Sequence, residues 1–283
     1  QDRRQRQMCI RDSFLPQGPR IDTAGLLDVR AVKFYMDGAL GSRGAALLEP
    51  YSDRPESSGL FLQDEADYRA KIERTKDAGF QVATHCIGDA AVRRVLHNYG
   101  ELLGGVNDLR WRIEHAQVVH REDVDTFSDF TIIPSIQPTH ATSDMYWAGQ
   151  RLGRNRVRRA YIYRSLQQQL GWLPLGTDFP VEGIAPLRTY YAAVVRKDVE
   201  GWPEDGWQRE EALSRESALR GMTVWAALAC FREHDLGQVT PGHRADFTVL
   251  DRNLLTVSEE DLLETRVLQT WIGGQSVFER RPG

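Results

Sequence analysis

Residues 79–91 read GFQVATHCIGDAA, and the fold turns on how this stretch is understood. Gly79 stops whatever helix precedes it, an apolar run climbs from Phe80, and the run ends on an imidazole, His85. Small and polar residues follow at once, and from Asp89 the apolar positions recur at helical spacing: Ala91, Val92, Val95, Leu96, Tyr99, Leu102 and Leu103. That is the pattern of a buried strand feeding a helix, with Asp89 placed as its N-cap. A strand that closes on a metal-capable side chain just before a helix raises the question of whether others do the same.

Working outward, strand and helix alternate. Residues 29–35 (VRAVKFY) are strand-like, and a Gly-rich loop follows them. Residues 64–79 carry Tyr68, Ile72 and Thr75 at helical spacing. Strands are expected at 80–85, 110–118, 131–138 and 172–180, with helices at 89–104, 121–130, 156–171 and 210–232. Alternation of this kind argues for an α/β fold with a parallel sheet and crossover helices. Beyond residue 233 the pattern changes to short strands with turn signals, DFTVLDRN (246–253) and RVLQTWIGGQSVFER (266–280), which suit a small antiparallel β unit. Three segments are therefore expected: a disordered or foreign tail at 1–13, a barrel portion at 14–232, and a C-terminal β segment at 233–283.

Four strands end on a residue able to approach a metal: Lys33, His85, His115 and Asp178, at intervals of 52, 30 and 63 residues. One βα unit of an eight-stranded barrel takes about 30 residues. His85 to His115 is then one step, His115 to Asp178 two, and Lys33 to His85 one step with a long loop inserted. All four side chains would meet at the C-terminal face, where barrel enzymes build their sites. Two imidazoles and a carboxylate favour a borderline divalent ion such as zinc, with positions open for water. An ammonium lysine does not ligate a cation, so Lys33 fits only if its nitrogen is carboxylated.

The motifs VKFYMDGALGSRGA, HCIGDAA, RIEHAQ, QPTHATSD and LGTDFPVE, with the closing SRESALRGMTVWAALAC, GQVTPGHRADFTVLD and VLQTWIGGQSVFE, resemble amidohydrolase family 3 of the amidohydrolase superfamily in order and spacing. The resemblance spans about residues 28–280. It implies a (β/α)8 TIM-type barrel and a small β-sandwich, of which this chain holds about strands 4–8 and the sandwich's C-terminal part. It also implies that Lys33 is a carboxylated bridging ligand, that His85 and His115 hold one metal, and that Asp178 binds the other and acts as general base. A metal-activated hydroxide would attack a non-peptide carbon–nitrogen bond of a small-molecule substrate. Arg43, Gln137 and His140 would orient that substrate. The family's His-x-His ligand pair has no counterpart here: the histidines are at 85, 97, 115, 120, 140, 234 and 243. The resemblance therefore makes this a C-terminal portion, with a non-catalytic or degenerate homologue that binds metal weakly as the alternative.

Composition narrows the classes further. A formal net charge of −4 gives no global case for nucleic acid or an anionic membrane, and no apolar run approaches the roughly 20 residues of a membrane span. Cys9, Cys86 and Cys230 lack CxxC spacing, which fits reduced thiols in a cytoplasmic protein. The stretch RLGRNRVRRAYIYRS (151–165) holds six arginines. It reads as a solvated helix face, with an arginine-rich interaction module as the rival. Trp202 and Trp207 either cap a pocket or anchor their loop. Cys86 should pack on the strand face opposite His85. An open sheet edge makes self-association, as a homo-oligomer, a fair expectation.

Overall fold

The computed structural model describes residues 14–22 and 27–281; the expected tail at 1–13, with Cys9, lies outside them. The chain divides into two compact units, one comprising 1–134 and 150–160, the other 135–149 and 161–283.

In the first unit a short hairpin, β1 (Arg20–Ile21) and β2 (Asp28–Val29), precedes β3 (Ala31–Tyr35). Helix α1 (Glu65–Asp77) begins at Asp64, whose carboxylate accepts from the Ala66 and Asp67 amides, and buries Tyr68, Ile72 and Thr75. Strand β4 (Gln81–Cys86) is buried at every position but His85, as a parallel strand covered on both faces must be. Helix α2 (Asp89–Leu103) buries Ala91, Val92, Val95, Leu96 and Tyr99, and Gly104 closes it in the left-handed conformation. Tyr68, Thr84 and Tyr99 join hydroxyls across this layer at 2.8 and 2.7 Å, so the polar groups that α1, β4 and α2 bury satisfy one another. Strand β5 (Arg112–His115), helix α3 (Val124–Asp129) and strand β6 (Ile133–Ser135) follow. The sheet order is β3-β4-β5-β6, with β3, β4 and β5 paired in parallel. The α/β class with a parallel sheet is as expected.

The second unit contains α4 (Pro138–Asp144), α5 (Tyr163–Leu170), α6 (Pro186–Val195), α7 (Arg215–Met222) and α8 (Val224–Ala229). It closes on an antiparallel sheet of β7 (Phe247–Leu250), β8 (Val267–Ile272) and β9 (Gln275–Glu279). Gly273 and Gly274, both at positive φ, make the two-residue turn between β8 and β9.

Several expected elements are cut by longer-range bonds. The expected helix 156–171 is split because Ala160 is extended and bridges Val118, after which Tyr161 takes a φ of 58° before α5 begins. The expected helix 210–232 breaks twice. Ser214 caps α7 by accepting from the Ser217 amide, and Thr223 separates α7 from α8. The expected strand 172–180 shrinks to one parallel bridge, Leu175 to Ile136, because Pro174 has no N–H to extend the ladder. Asp89 is not the N-cap of α2. Gly88 takes that place, and the Asp89 carboxylate accepts from the Leu48 amide at 2.9 Å.

Gly88 is required by close approach rather than by its φ. A Cβ there would stand 1.9 Å from the Ala46 carbonyl oxygen, a backbone atom that cannot rotate away. Gly88→Ala should therefore cost at least the 1–3 kcal/mol typical of overpacking (about 3 kcal/mol is expected). A denaturant midpoint equal to wild type would contradict this packing.

Candidate active site

Parallel pairing places the C-terminal ends of β3, β4 and β5 along one edge of the sheet. Tyr35 is in register with His85, and His85 with Glu114, so these three share a face, as does Lys33 two residues before Tyr35. The contacts agree: the Lys33 Nζ lies over the Tyr35 ring, 5.2 Å from its centroid, and the Tyr35 and His85 rings are 5.2 Å apart.

His115 breaks the pleat. Its register partner is Cys86, which is fully buried on the opposite face, and a continued strand would carry the imidazole to that side. Instead His115 adopts a φ of 78° and Ala116 one of 41°. The ring comes round to His85, edge to face, with centroids 4.6 Å apart. Left-handed backbone at a residue that is not glycine costs about 1–3 kcal/mol and collects at functional sites.

Asp37, just beyond β3, was not singled out by sequence, although its MDG context sits within a quoted motif. Its side chain is fully buried. One carboxylate oxygen accepts from the Ala46 and Gly88 amides at 3.0 and 2.8 Å, the other from Ile87 at 3.0 Å. The latter oxygen also lies 3.6 Å from His85 Nε2. Burial outweighs the backbone donors and pushes the Asp37 carboxyl up to about 7. Cys86, as expected, is a packed thiol, and burial raises it well above the ordinary thiol range.

Arg43 is forked onto Asp53 through Nε and Nη2 at 3.0 and 2.8 Å, and Arg151 reaches the same carboxylate. Those guanidinium groups, Arg43 foremost, hold Asp53 below the usual carboxylate range. Arg156 donates to the Glu49 and Pro50 carbonyls and to Ser52. The arginine-rich stretch is thus not simply a solvated helix face: two of its arginines brace the loop at 41–53, while Arg154, Arg158 and Arg164 are exposed.

In the second unit Gln137 precedes Pro138, which opens α4 with a φ suited to a first helical turn. The Gln137 carbonyl accepts from the Tyr163 hydroxyl at 3.3 Å. His140 lies in the first turn of α4, its Nε2 3.4 Å from Asp178 Oδ2. Asp178 has a φ of 55°, which aspartate tolerates better than most residues. After it come three exposed apolar side chains, Phe179, Val181 and Ile184, and Glu182, which accepts from the Ser143 hydroxyl. Both tryptophans anchor: Trp202 stacks on Tyr146, and Trp207 packs on Tyr161. Arg196 is fully buried between the Tyr163 and Trp207 rings, and burial lowers its pKa.

Of the expected site residues, Lys33, His85 and His115 belong to the first unit, and Gln137, His140 and Asp178 to the second. The donors suit a divalent cation of intermediate softness: an imidazole pair on neighbouring strands in one unit, an imidazole–carboxylate pair in the other.

The sequence profile of the amidohydrolase family matches residues 19–278. The chain is 32% identical over 250 residues to the putative amidohydrolase YtcJ of Bacillus subtilis, covering 88% of this chain and 47% of that one. It is 26% identical over 257 residues to the N-substituted formamide deformylase of Arthrobacter pascens, covering 90% and 46%. Among solved structures, an uncharacterised metal-dependent hydrolase from Pyrococcus horikoshii superposes with a TM-score of 0.78 at 30% identity, over 88% of this chain and 50% of that one. The chain spans about half the length of the curated relatives it matches. With a profile match across nearly all of its length, the chain belongs to the amidohydrolase family.

Proposed function

We propose that the chain is the C-terminal portion, about strands 4–8 with part of a small β-sandwich, of a metal-dependent (β/α)8 hydrolase that cleaves a non-peptide carbon–nitrogen bond in a small molecule. The observation that supports it most is the His85–His115 imidazole pair, brought edge to face by a left-handed backbone at His115. The deformylase activity named for the Arthrobacter relative supports the bond type.

On this reading Lys33, as a carboxylated lysine, with His85, His115 and Asp178 holds one or two divalent ions, zinc being the best fit to two imidazoles and a carboxylate. A bound divalent ion supplies Lewis acidity and a water acidic enough to react near neutral pH. Asp178 would serve as general base, taking a proton from the attacking water and passing it to the departing nitrogen, so that an amine and an acid would leave. His140, 3.4 Å from the Asp178 carboxylate, fixes its direction. Gln137 and Arg43 orient the substrate, Arg43 from a guanidinium already steadied by Asp53. A cytoplasmic setting suits the unpaired-thiol composition; among the described residues no helix is long and apolar enough to cross a membrane.

The test is a zinc titration of the 283-residue chain, read by competition with a chromophoric chelator, together with amine release from a panel of N-formyl and N-acyl amines. Zinc uptake that chelator reverses, with amine release that follows zinc content, is the expected result. Zinc uptake with no amine release from any of the panel would favour the degenerate, non-catalytic homologue. Absence of zinc uptake would remove the metal site altogether.

A further inference from the structure

We infer that Asp37 is a positioning residue that sets which nitrogen of His85 faces the metal; the inference rests on the proposed function, since it presumes His85 to be a ligand.

The carboxylate of Asp37 does two things at once. Three amides from two segments close on it: Ala46 from the loop after β3, and Ile87 and Gly88 from the turn after β4. Those donors fix both oxygens. The oxygen that takes two of them, from Ala46 and Gly88, is committed to the loop. The other takes only the Ile87 amide and lies 3.6 Å from His85 Nε2. A further contact draws the same strands together, the Met36 amide donating to the His85 carbonyl at 3.0 Å. Asp37 therefore cannot swing away from the imidazole without breaking backbone bonds, and the imidazole has an acceptor waiting on its Nε2 side.

An imidazole beside a fixed acceptor keeps its proton on the near nitrogen, which leaves the far nitrogen's lone pair for a cation. Here Nε2 is the near nitrogen, so Nδ1 is the donor atom left for the metal. An outer carboxylate of this kind orients a ligating imidazole and raises its basicity, and its loss typically weakens metal binding about 10- to 100-fold. The distance of 3.6 Å is longer than a hydrogen bond, so the preference it imposes on the ring is electrostatic.

The alternative is that Asp37 only ties the loop to the strand ends. Asp37→Asn separates the two, because it keeps the side-chain shape and one carbonyl oxygen while removing the charge. The readout is zinc affinity of the full chain, measured against a chromophoric chelator, beside the thermal melt. The expected result is a folded variant whose zinc affinity is about 10- to 100-fold weaker. Leu166→Ala, a truncation at a fully buried position, is expected to lower the melt and leave zinc affinity as in wild type. Equal zinc affinity in Asp37→Asn and wild type overturns the positioning role. If Asp37→Asn does not fold, the wild type decides. Selective 15N-histidine labelling should show His85 carrying its proton on Nε2, and a proton on Nδ1 alone overturns the inference. A wild type that takes up zinc and loses it in His115→Ala, yet is unmoved by Asp37→Asn, leaves the proposed function standing and removes this inference alone. A wild type that takes up no zinc removes both.

Discussion

Replacing His115 by alanine should remove bound zinc and end hydrolysis, with the remainder of the fold intact. The side chain is one half of the imidazole pair, 4.6 Å from His85 between ring centroids. Losing it leaves His85 as a single imidazole at these strand ends. Outer-sphere substitutions at metal sites cost about 10- to 100-fold in affinity, and removal of a ligand should exceed the top of that range. The fold should suffer less, because His115 is a polar side chain at a strand end and its left-handed backbone is strained in wild type and variant alike. His115→Asn is the informative companion. Asparagine tolerates a φ near 78° better than alanine but is a far poorer zinc ligand, so it separates backbone strain from ligation. Both variants should lose zinc, and the asparagine variant should melt at or above the alanine one. Full zinc content with full turnover in His115→Ala would sink the ligand assignment.

Asp178→Asn should have the second-largest effect, through chemistry more than binding. A positioned general base contributes about 10²- to 10⁴-fold to rate, and the amide that replaces the carboxylate cannot accept the proton. The substitution suits the site, since asparagine accepts the φ of 55° that Asp178 adopts. His140 remains beside it. Zinc content carries the diagnosis: turnover should fall about 10²- to 10⁴-fold while zinc content falls far less than in His115→Ala. Wild-type turnover in Asp178→Asn would move the base to another residue.

How much of this was legible from residues alone differs from element to element. Strand β4 and helix α2 were, because their signals are local. An apolar run ending at His85 and apolar positions three and four apart from Ala91 onward depend only on neighbours within a turn or two. The same holds for the Gly79 stop and for the Gly273–Gly274 hairpin. The family resemblance was legible too, since eight motifs in order carry it even where each is weak alone.

Other features were not legible, and the reason is separation along the chain. Helix 156–171 has a sound helical pattern, yet a bridge from Val118 to Ala160, over forty residues apart, holds Ala160 extended and ends the first turn there. Strand 172–180 has strand-like composition, but Pro174 and the turn at Asp178 confine its pairing to Leu175. His85 and His115 were both recognised as candidates, but a period of two would have sent His115 to the Cys86 side of the sheet. The turn that brings it back is a backbone conformation no residue in RIEHAQ announces. Asp37 is the clearest case. Its donors lie 9, 50 and 51 residues away, and a carboxylate next to a glycine reads locally as a turn. Periodicity settles elements such as β4 and α2, and motif order settles the family, because local sterics and apolar patterning act over a few residues. Which side chains face one another, and which buried carboxylate orients them, follows from hydrogen bonds that exist only once distant segments have packed.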